Sequence, residues 1–280
     1  MVQETAITFS LFASGYCTAN AKIVDPTSEL KPSRFYAVWA LLQHPSLGYI
    51  LFDCGYNELF NKETRRFPEI LYRWSTPISF NEQETAKHIL AKKGIKPEDI
   101  HYIIVSHFHA DHICALRDFP KAQFICNQSS LNEFRNVSGL AAVKKGIIKN
   151  LVPTDFESRV IVLQDIASSY VDEKSGLTFF RFLDQDVFEL VELPGHARGM
   201  LGLKANLPDK KILYATDAAW SKKAFAKNIL PMKIVKLFFD SWNEYKHTFT
   251  ALKKFEAHHS DFTVLFTHCP ETLAYIENNV

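Results

Sequence analysis

Residues 105–112 read Val-Ser-His-Phe-His-Ala-Asp-His, which places three histidines and one aspartate within six positions. Imidazole and carboxylate groups are ligands for zinc, iron and manganese, so this stretch is a candidate metal-binding motif. It follows the apolar run YIIV, which predicts a strand that ends at the motif. Such a pattern arises by chance on the order of once in a thousand chains. We therefore interpret it as a metal-binding motif rather than an exposed polar loop.

Three further strand-length runs also lead into a residue that can bind a metal. The run VFELVELPG leads to His196, KILYAT leads to Asp217 and TVLFT leads to His268. Taken alone, each is ambiguous, because a lone histidine after a strand is usually packed or solvated and an aspartate there often caps a helix. Loops at strand ends are where rigid scaffolds place binding groups. Four such ends in one chain therefore favour one shared metal site.

The rest of the sequence predicts a single domain that spans residues 1–280. Short apolar runs of strand length recur, many without a helix between them, which favours packed sheets covered by helices over a doubly wound parallel sheet. Helical patterns are expected at 81–94, around 228–239, at 242–259 and at 271–279. No repeat, low-complexity tract or linker divides the chain.

Composition and charge narrow the classes of function. The 280-residue chain is 47% hydrophobic and 22% charged, and its net charge of +1 does not suggest a nucleic-acid or anionic-membrane surface. Its five cysteines are scattered without a C-x-x-C pair, which favours a reducing compartment and hence a cytoplasmic location. The first residues, MVQETAITFSLFASGY, lack a basic segment, so we expect no signal peptide, and no apolar run has the length of a membrane span.

Together, these motifs resemble the metallo-β-lactamase superfamily. The pattern HxHxDH, then PGH, then an aspartate and a histidine at strand ends follows the order found there, and ILFDCG matches an early Asp-x-Gly turn of that superfamily. The spacing is similar to that of the N-acyl-homoserine-lactone lactonases and the thioesterase glyoxalase II. The segment ASGYCTANAKIVDP, followed by FYAVWALLQ, resembles the lactonases in particular. The resemblance implies an α+β fold, a four-layer αββα sandwich, with a two-metal site at one edge.

The resemblance also implies a role for each candidate residue. Two divalent ions, expected to be zinc with iron or manganese as alternatives, would have seven ligands: His107, His109 and His196 on one ion, Asp111, His112 and His268 on the other, and Asp217 bridging both. A hydroxide that bridges the ions would attack the carbonyl of a small ester, first of all a lactone, and Asp111 would shuttle the proton. Asp53 is expected to orient a ligand from outside the coordination shell, or to serve the structure alone.

Two positions depart from the family pattern. Met200 stands where many members have a second histidine, after PGHxxG, but this position is not one of the seven ligands. Trp220 stands where the lactonases usually carry a tyrosine whose hydroxyl contacts the substrate carbonyl. An indole can donate a hydrogen bond but has no acceptor lone pair. Trp220 is thus a candidate substrate contact, and the aromatic and basic segment 56–80 is a candidate lid, acyl-chain pocket or dimer contact, or else a packed helix with a surface loop.

Several functions stay open from the sequence. The same fold and metals serve thioesterases and also phosphodiesterases or ribonucleases, although the near-neutral charge disfavours a nucleic-acid partner. Iron-based redox chemistry is a further class, but no flavin-binding domain accompanies the site. A non-catalytic metal-binding sensor would be expected to lose ligands, whereas all seven are present. We expect a small-molecule ester or lactone substrate and no membrane partner, and both a monomer and a homodimer remain open.

Overall fold

A computed structural model describes residues 7–182 and 187–277, and its strands form two sheets. The seven strands of the first sheet are β1 (Thr8–Asn20), β2 (Pro32–His44), β3 (Gly48–Phe52), β4 (Ile78–Ser79), β5 (Ile100–Ile104), β6 (Gln123–Cys126) and β7 (Val160–Val162). The six strands of the second sheet are β8 (Ala167–Val171), β9 (Thr178–Phe182), β10 (Phe188–Glu192), β11 (Leu201–Asn206), β12 (Lys211–Tyr214) and β13 (Thr263–Leu265).

Both sheets mix parallel and antiparallel pairs. The first has the order β4-β1-β2-β3-β5-β6-β7, and the second has the order β13-β12-β11-β10-β9-β8. In the first sheet β3, β5, β6 and β7 pair in parallel, and in the second β12 and β13 do so. The remaining neighbours are antiparallel. Because parallel strands end at the same edge of a sheet, this arrangement brings together the loops that follow them.

Helices pack on the outer face of each sheet. In the described ranges the α-helices are α1 (Ala21–Val24), α2 (Glu58–Glu63), α3 (Ile70–Ser75), α4 (Ala86–Lys92), α5 (Ala110–Ile113), α6 (Gln128–Asn136), α7 (Gly139–Lys144), α8 (Phe156–Arg159), α9 (Leu163–Ile166), α10 (Lys222–Ala226), α11 (Trp242–His258) and α12 (Pro270–Glu277). The longest, α11, begins after Ser241, whose side chain accepts a hydrogen bond from the backbone N–H of Glu244. No helix in the described ranges is both long and apolar enough to cross a bilayer.

Alternate residues along the strands pack into different apolar cores. In β5, Ile103 packs between the first sheet and its helices, whereas Ile104 packs between the two sheets. In β12, Ile212 faces the core between the sheets, and Leu213 packs with Leu252 of α11 on the far side. This alternation is what a sheet buried on both faces requires. The predicted four-layer αββα sandwich is confirmed.

Some local predictions differ from the structure or lie outside it. The helix expected around 228–239 is wrong, because only residues Lys233–Leu237 form a short 3-10 helix. Asn228 takes a left-handed φ of 57° after α10, and Pro231 lacks the backbone N–H that a continuing helix would need. Strands β4, β8 and β11 were not predicted. The predictions for residues 1–6 and 278–279 lie outside the described ranges, and the single domain over 1–280 stays a prediction.

Candidate metal centre

The four predicted strand ends meet at one place in the sandwich. Strand β5 leads into the histidine motif and α5, while the loops after β10, β12 and β13 carry the three remaining candidates. Two groups of side chains result, and the ligand atoms within each group all lie within 4.8 Å of one another. These groups are His107, His109, His196 and Asp217, and Asp111, His112, His268 and Asp217. Asp217 belongs to both groups, as a residue that bridges two ions must.

The Asp217 carboxylate lies at the centre of the histidine cluster. Its Oδ2 atom is 3.2 Å from Nε2 of His196 and 3.1 Å from Nε2 of His268. The same oxygen is 3.6 Å from Nε2 of His112 and 4.0 Å from Nε2 of His107. Two ligands of a tetrahedral ion with bonds of about 2.0–2.1 Å lie roughly 3.3 Å apart. The spacing of these side chains therefore suits atoms that share a metal ion.

Unpaired buried atoms also point to metal binding. Nε2 of His107, Nε2 of His112 and Oδ1 of Asp217 are buried and have no hydrogen-bond partner in the described part of the chain. Each buried polar atom left unpaired costs about 1–3 kcal/mol, and coordination of a cation would satisfy all three. Imidazole and carboxylate donors suit zinc, iron or manganese. The residues present therefore fit two divalent ions.

Hydrogen bonds on the far side of the imidazoles fix their orientation. Nδ1 of His112 lies 2.7 Å from Oδ2 of Asp53, and the other oxygen of Asp53 accepts a bond from the backbone N–H of Ser106 at 2.8 Å. Nδ1 of His268 donates to the backbone carbonyl of Tyr36 at 2.9 Å. Each bond leaves the Nε2 atom of its imidazole facing the cluster. The structure thus places Asp53 behind a candidate ligand, and sequence alone gave no signal for Ser106 or Tyr36 as partners.

The histidine pKa values shift in opposite directions in the two groups. Burial lowers the pKa of His109 to about 3, and the charge of the nearby His196 contributes in the same direction. Burial also lowers the pKa of His107 well below its usual value, with a smaller contribution from His112. Both imidazoles are therefore neutral at physiological pH. A neutral imidazole is the form that binds a metal, so these two candidate ligands need not lose a proton to bind an ion.

In the second group the carboxylates dominate. Burial alone would lower the pKa of His112, but Asp111 and Asp53 raise it well above its usual value. Burial would likewise lower the pKa of His268, but Asp217 raises it. For Asp111, burial would raise the pKa, but the two histidines nearby lower it to about 2. Without metal, this group is thus a set of ionised carboxylates beside protonated imidazoles.

This difference predicts how metal binding depends on pH. An ion that binds the second group must displace the protons of His112 and His268, whereas His107 and His109 have none to lose. We expect His112 and His268 to release about two protons at pH 7 as metal-free protein takes up two zinc ions, in addition to any proton lost by bound water. The affinity of the weaker position should rise with pH, because the raised pKa values keep those imidazoles protonated in acid. Calorimetric zinc titrations in buffers of different ionisation enthalpy measure the protons released, and release of none would contradict the prediction.

A cavity of about 200 Å³ opens above the cluster. Its polar floor includes His109, Asp111 and Asp217, and its walls are largely apolar and aromatic, with Ile23 and Phe35 among them. The segment 56–80, whose role the sequence left open, contributes Tyr56, Tyr72 and Thr76 to the wall. Because that contribution depends on how α2 and α3 pack, the sequence could name the segment but not the two tyrosines.

Trp220 forms another part of the wall. Its ring packs edge-on against His196, with centroids 5.4 Å apart, and against Phe239 at 5.2 Å. The Nε1 atom of Trp220 is buried without a hydrogen-bond partner among the described residues. Trp220 therefore turns hydrocarbon rather than its N–H group toward the cavity.

Comparison with known proteins identifies the family. A family model described as the Metallo-beta-lactamase superfamily matches residues 34–258, which is most of the chain. The chain belongs to the metallo-β-lactamase superfamily. Its place in this superfamily confirms the resemblance inferred from the HxHxDH, PGH and strand-end motifs. The match includes six of the seven candidate ligands, while His268 lies beyond its C-terminal limit.

Individual members of the superfamily are similar over most of this chain. The N-acyl homoserine lactonase AttM of Rhizobium radiobacter is 26% identical over 199 residues, which cover 71% of this chain and 68% of that protein. The AttM protein of Agrobacterium fabrum gives the same identity and coverage. These relatives belong to the lactonase branch that the sequence motifs resemble.

Solved structures of metallo-β-lactamase-fold enzymes agree with the architecture. An N-acyl homoserine lactone hydrolase with the product N-hexanoyl-L-homoserine at its catalytic metal centre has a TM-score of 0.69 and 18% identity, covering 98% of this chain and 97% of that chain. AidC, a dizinc quorum-quenching lactonase, has a TM-score of 0.61 and 15% identity, covering 95% and 92%. At these identities the similarity establishes the fold.

Proposed function

We propose that the protein is a dinuclear metal-dependent hydrolase that opens the ring of a small lactone. The observation that carries this proposal is the pair of ligand groups that share Asp217 beneath a cavity with apolar walls. The relatives support the choice of substrate, since AttM is named an N-acyl homoserine lactonase and one similar structure holds N-hexanoyl-L-homoserine. Zinc is our choice of metal, because histidine-rich sites with carboxylates suit it.

The residues around the cluster have distinct tasks in this reaction. One ion would be held by His107, His109 and His196, the other by Asp111, His112 and His268, with Asp217 shared between them. When bound, two such ions acidify water and polarise a carbonyl group. Asp111 belongs to the second ligand group and its side chain lines the floor of the cavity. It can therefore accept a proton from the attacking water and pass it to the ring oxygen as the C–O bond breaks, which yields a hydroxy acid.

The lining of the cavity favours a neutral acyl compound over a phosphodiester. Among the described residues that line it there is no lysine or arginine, whereas Ile23, Val24 and Phe35 supply apolar surface. A polyanionic substrate such as RNA would be expected to meet basic side chains near the metals. A lactone with an apolar acyl chain places its carbonyl on the polar floor and its chain against the wall.

A substrate panel on protein of known metal content tests this function. The panel holds N-acyl-homoserine lactones of several chain lengths, a simple γ-lactone, an aryl ester, a thioester and a phosphodiester. We expect the N-acyl lactones to have the highest kcat/KM, with the hydroxy acid as product. Faster turnover of the thioester or phosphodiester, or no turnover of any member with two ions bound, would contradict the proposal.

We also propose a cytoplasmic location and a single domain over residues 1–280. The five cysteines are all free, and four of them are buried, which suits a reducing compartment. Fractionation of cells that express the tagged protein would test the location. Recovery of the protein in a secreted fraction would contradict it.

A further inference from the structure

Two tyrosines on the wall formed by segment 56–80 face the candidate centre. Tyr56 follows the turn after β3, Tyr72 lies in α3, and both line the cavity whose floor holds Asp111 and Asp217. Tyr56 is fully buried, whereas Tyr72 is half-buried. The ring of Phe60 packs edge-on against both, with centroids 5.5 Å from Tyr56 and 5.8 Å from Tyr72. This aromatic packing fixes the position of both phenols.

The phenol groups of Tyr56 and Tyr72 interact with each other. A hydrogen bond donated by Tyr56 to the Tyr72 oxygen would leave the Tyr72 proton free and strengthen it for another partner. Burial, and then the charge of Asp111, raise the pKa of both phenols well above the usual value. Both therefore keep their protons at neutral pH.

Trp220 does not provide such a donor. Trp220 stands where the lactonase pattern has a tyrosine, and its N–H group is buried away from the cavity. A hydroxyl donor for a substrate oxygen can instead come from another element of the cavity wall. Tyr72 meets this need, because its hydroxyl belongs to a half-buried side chain that lines the same cavity.

We propose that Tyr72 donates a hydrogen bond to the carbonyl oxygen of the bound lactone, and that Tyr56 acts as a positioning residue through Tyr72. The polar part of the substrate is thus recognised from α3 rather than from the loop after β12. This inference rests on the proposed lactone hydrolysis and adds the residues that orient the lactone.

Tyrosine-to-phenylalanine variants test the proposal, because they remove one hydroxyl and keep the ring. Loss of one hydrogen bond to a substrate oxygen should lower kcat/KM for N-hexanoyl-homoserine lactone by about tenfold or more in Tyr72→Phe. Tyr56→Phe should lower it by about threefold. The double variant should be no worse than Tyr72→Phe, because Tyr56 acts through Tyr72, whereas a merely structural role for Tyr56 would add a further loss.

A matched control and a binding measurement make the result specific. Tyr170→Phe removes a phenol that donates to Glu189 at 3.1 Å in another part of the fold, and should leave kcat/KM unchanged. Binding of the N-hexanoylamino γ-lactam, which keeps the carbonyl but resists hydrolysis, is measured by calorimetry. We expect about fivefold weaker binding in Tyr72→Phe.

The outcomes separate this inference from the proposed function. If the metal-loaded wild type binds the lactam but turns over no lactone, the proposed function fails, and weaker lactam binding by Tyr72→Phe still supports the role of Tyr72. Lactam affinity and kcat/KM within twofold of wild type in Tyr72→Phe would overturn the inference, as would absence of lactam binding by the wild type. If Tyr72→Phe loses its metal, the test is made with Tyr56→Phe instead. A lactam affinity and a kcat/KM equal to those of wild type in Tyr56→Phe would then overturn the inference.

Discussion

Replacement of Asp217 by alanine is expected to lower kcat/KM for the lactone by about a thousandfold or more and to reduce bound metal to one ion or fewer. Asp217 is the one residue common to both ligand groups. Its Oδ2 atom lies close to histidines of each group, and its Oδ1 atom is buried without a partner in the described ranges. Elemental analysis and steady-state kinetics on the same preparation measure both effects.

The control for this variant is Asp209→Ala, which removes an exposed carboxylate outside both groups. It should bind two ions and turn over substrate at the wild-type rate. If Asp217→Ala binds two ions as tightly as the control and keeps its activity within tenfold, Asp217 does not bridge the centre.

Gly195→Ala should unfold the protein at much lower urea concentration than wild type. Gly195 has a φ of +124°, and an added Cβ would lie 2.1 Å from the backbone nitrogen of Tyr245 and 2.3 Å from its Cα. The first turn of α11 is fixed here, since the carbonyl of Gly195 accepts the N–H of Ser241 at 3.0 Å. Because backbone cannot move aside as a side chain can, we expect a loss of about 4 kcal/mol or more in the free energy of unfolding.

Gly94→Ala is the matched comparison for this effect. Gly94 also has a positive φ, +76°, but an added Cβ would meet nothing within 4 Å. Its cost should be confined to backbone strain, about 1–2 kcal/mol. Equal losses in the two variants would show that the contact between Gly195 and α11 does not restrict this position. Because the candidate ligand His196 is the next residue, reduced metal content is a second expected effect of Gly195→Ala.

The sequence could indicate which residues meet at the candidate centre, because the candidate ligands follow strands with strong local signals. The apolar runs before His107, Asp217 and His268 are strands in the structure, and each candidate lies three residues beyond a strand end. The position of Asp53 after β3 was also evident. Its contact with His112 was not, because that contact depends on the pairing of β3 with β5.

What the sequence could not predict depends on tertiary packing. Strand β11 has glycine and lysine within it, so its apolar pattern is weak, yet pairing with β10 and β12 on both sides stabilises it. The residues of the cavity wall could not be predicted for the same reason. Tyr56 and Tyr72 are separated in sequence by α2 and the turns after it, and they line one cavity only because α3 packs beside the centre. The helix expected around 228–239 does not form, because an apolar pattern alone does not compensate for the backbone hydrogen bond that Pro231 cannot donate.

The most direct test of the two-ion centre is the metal content of the purified chain after saturation with zinc and removal of the excess. We predict two ions per chain in the wild type and no more than one in His107→Ala, with lactone turnover lost in parallel. A wild-type protein that opens lactones at full rate with fewer than two ions bound would contradict the dinuclear centre.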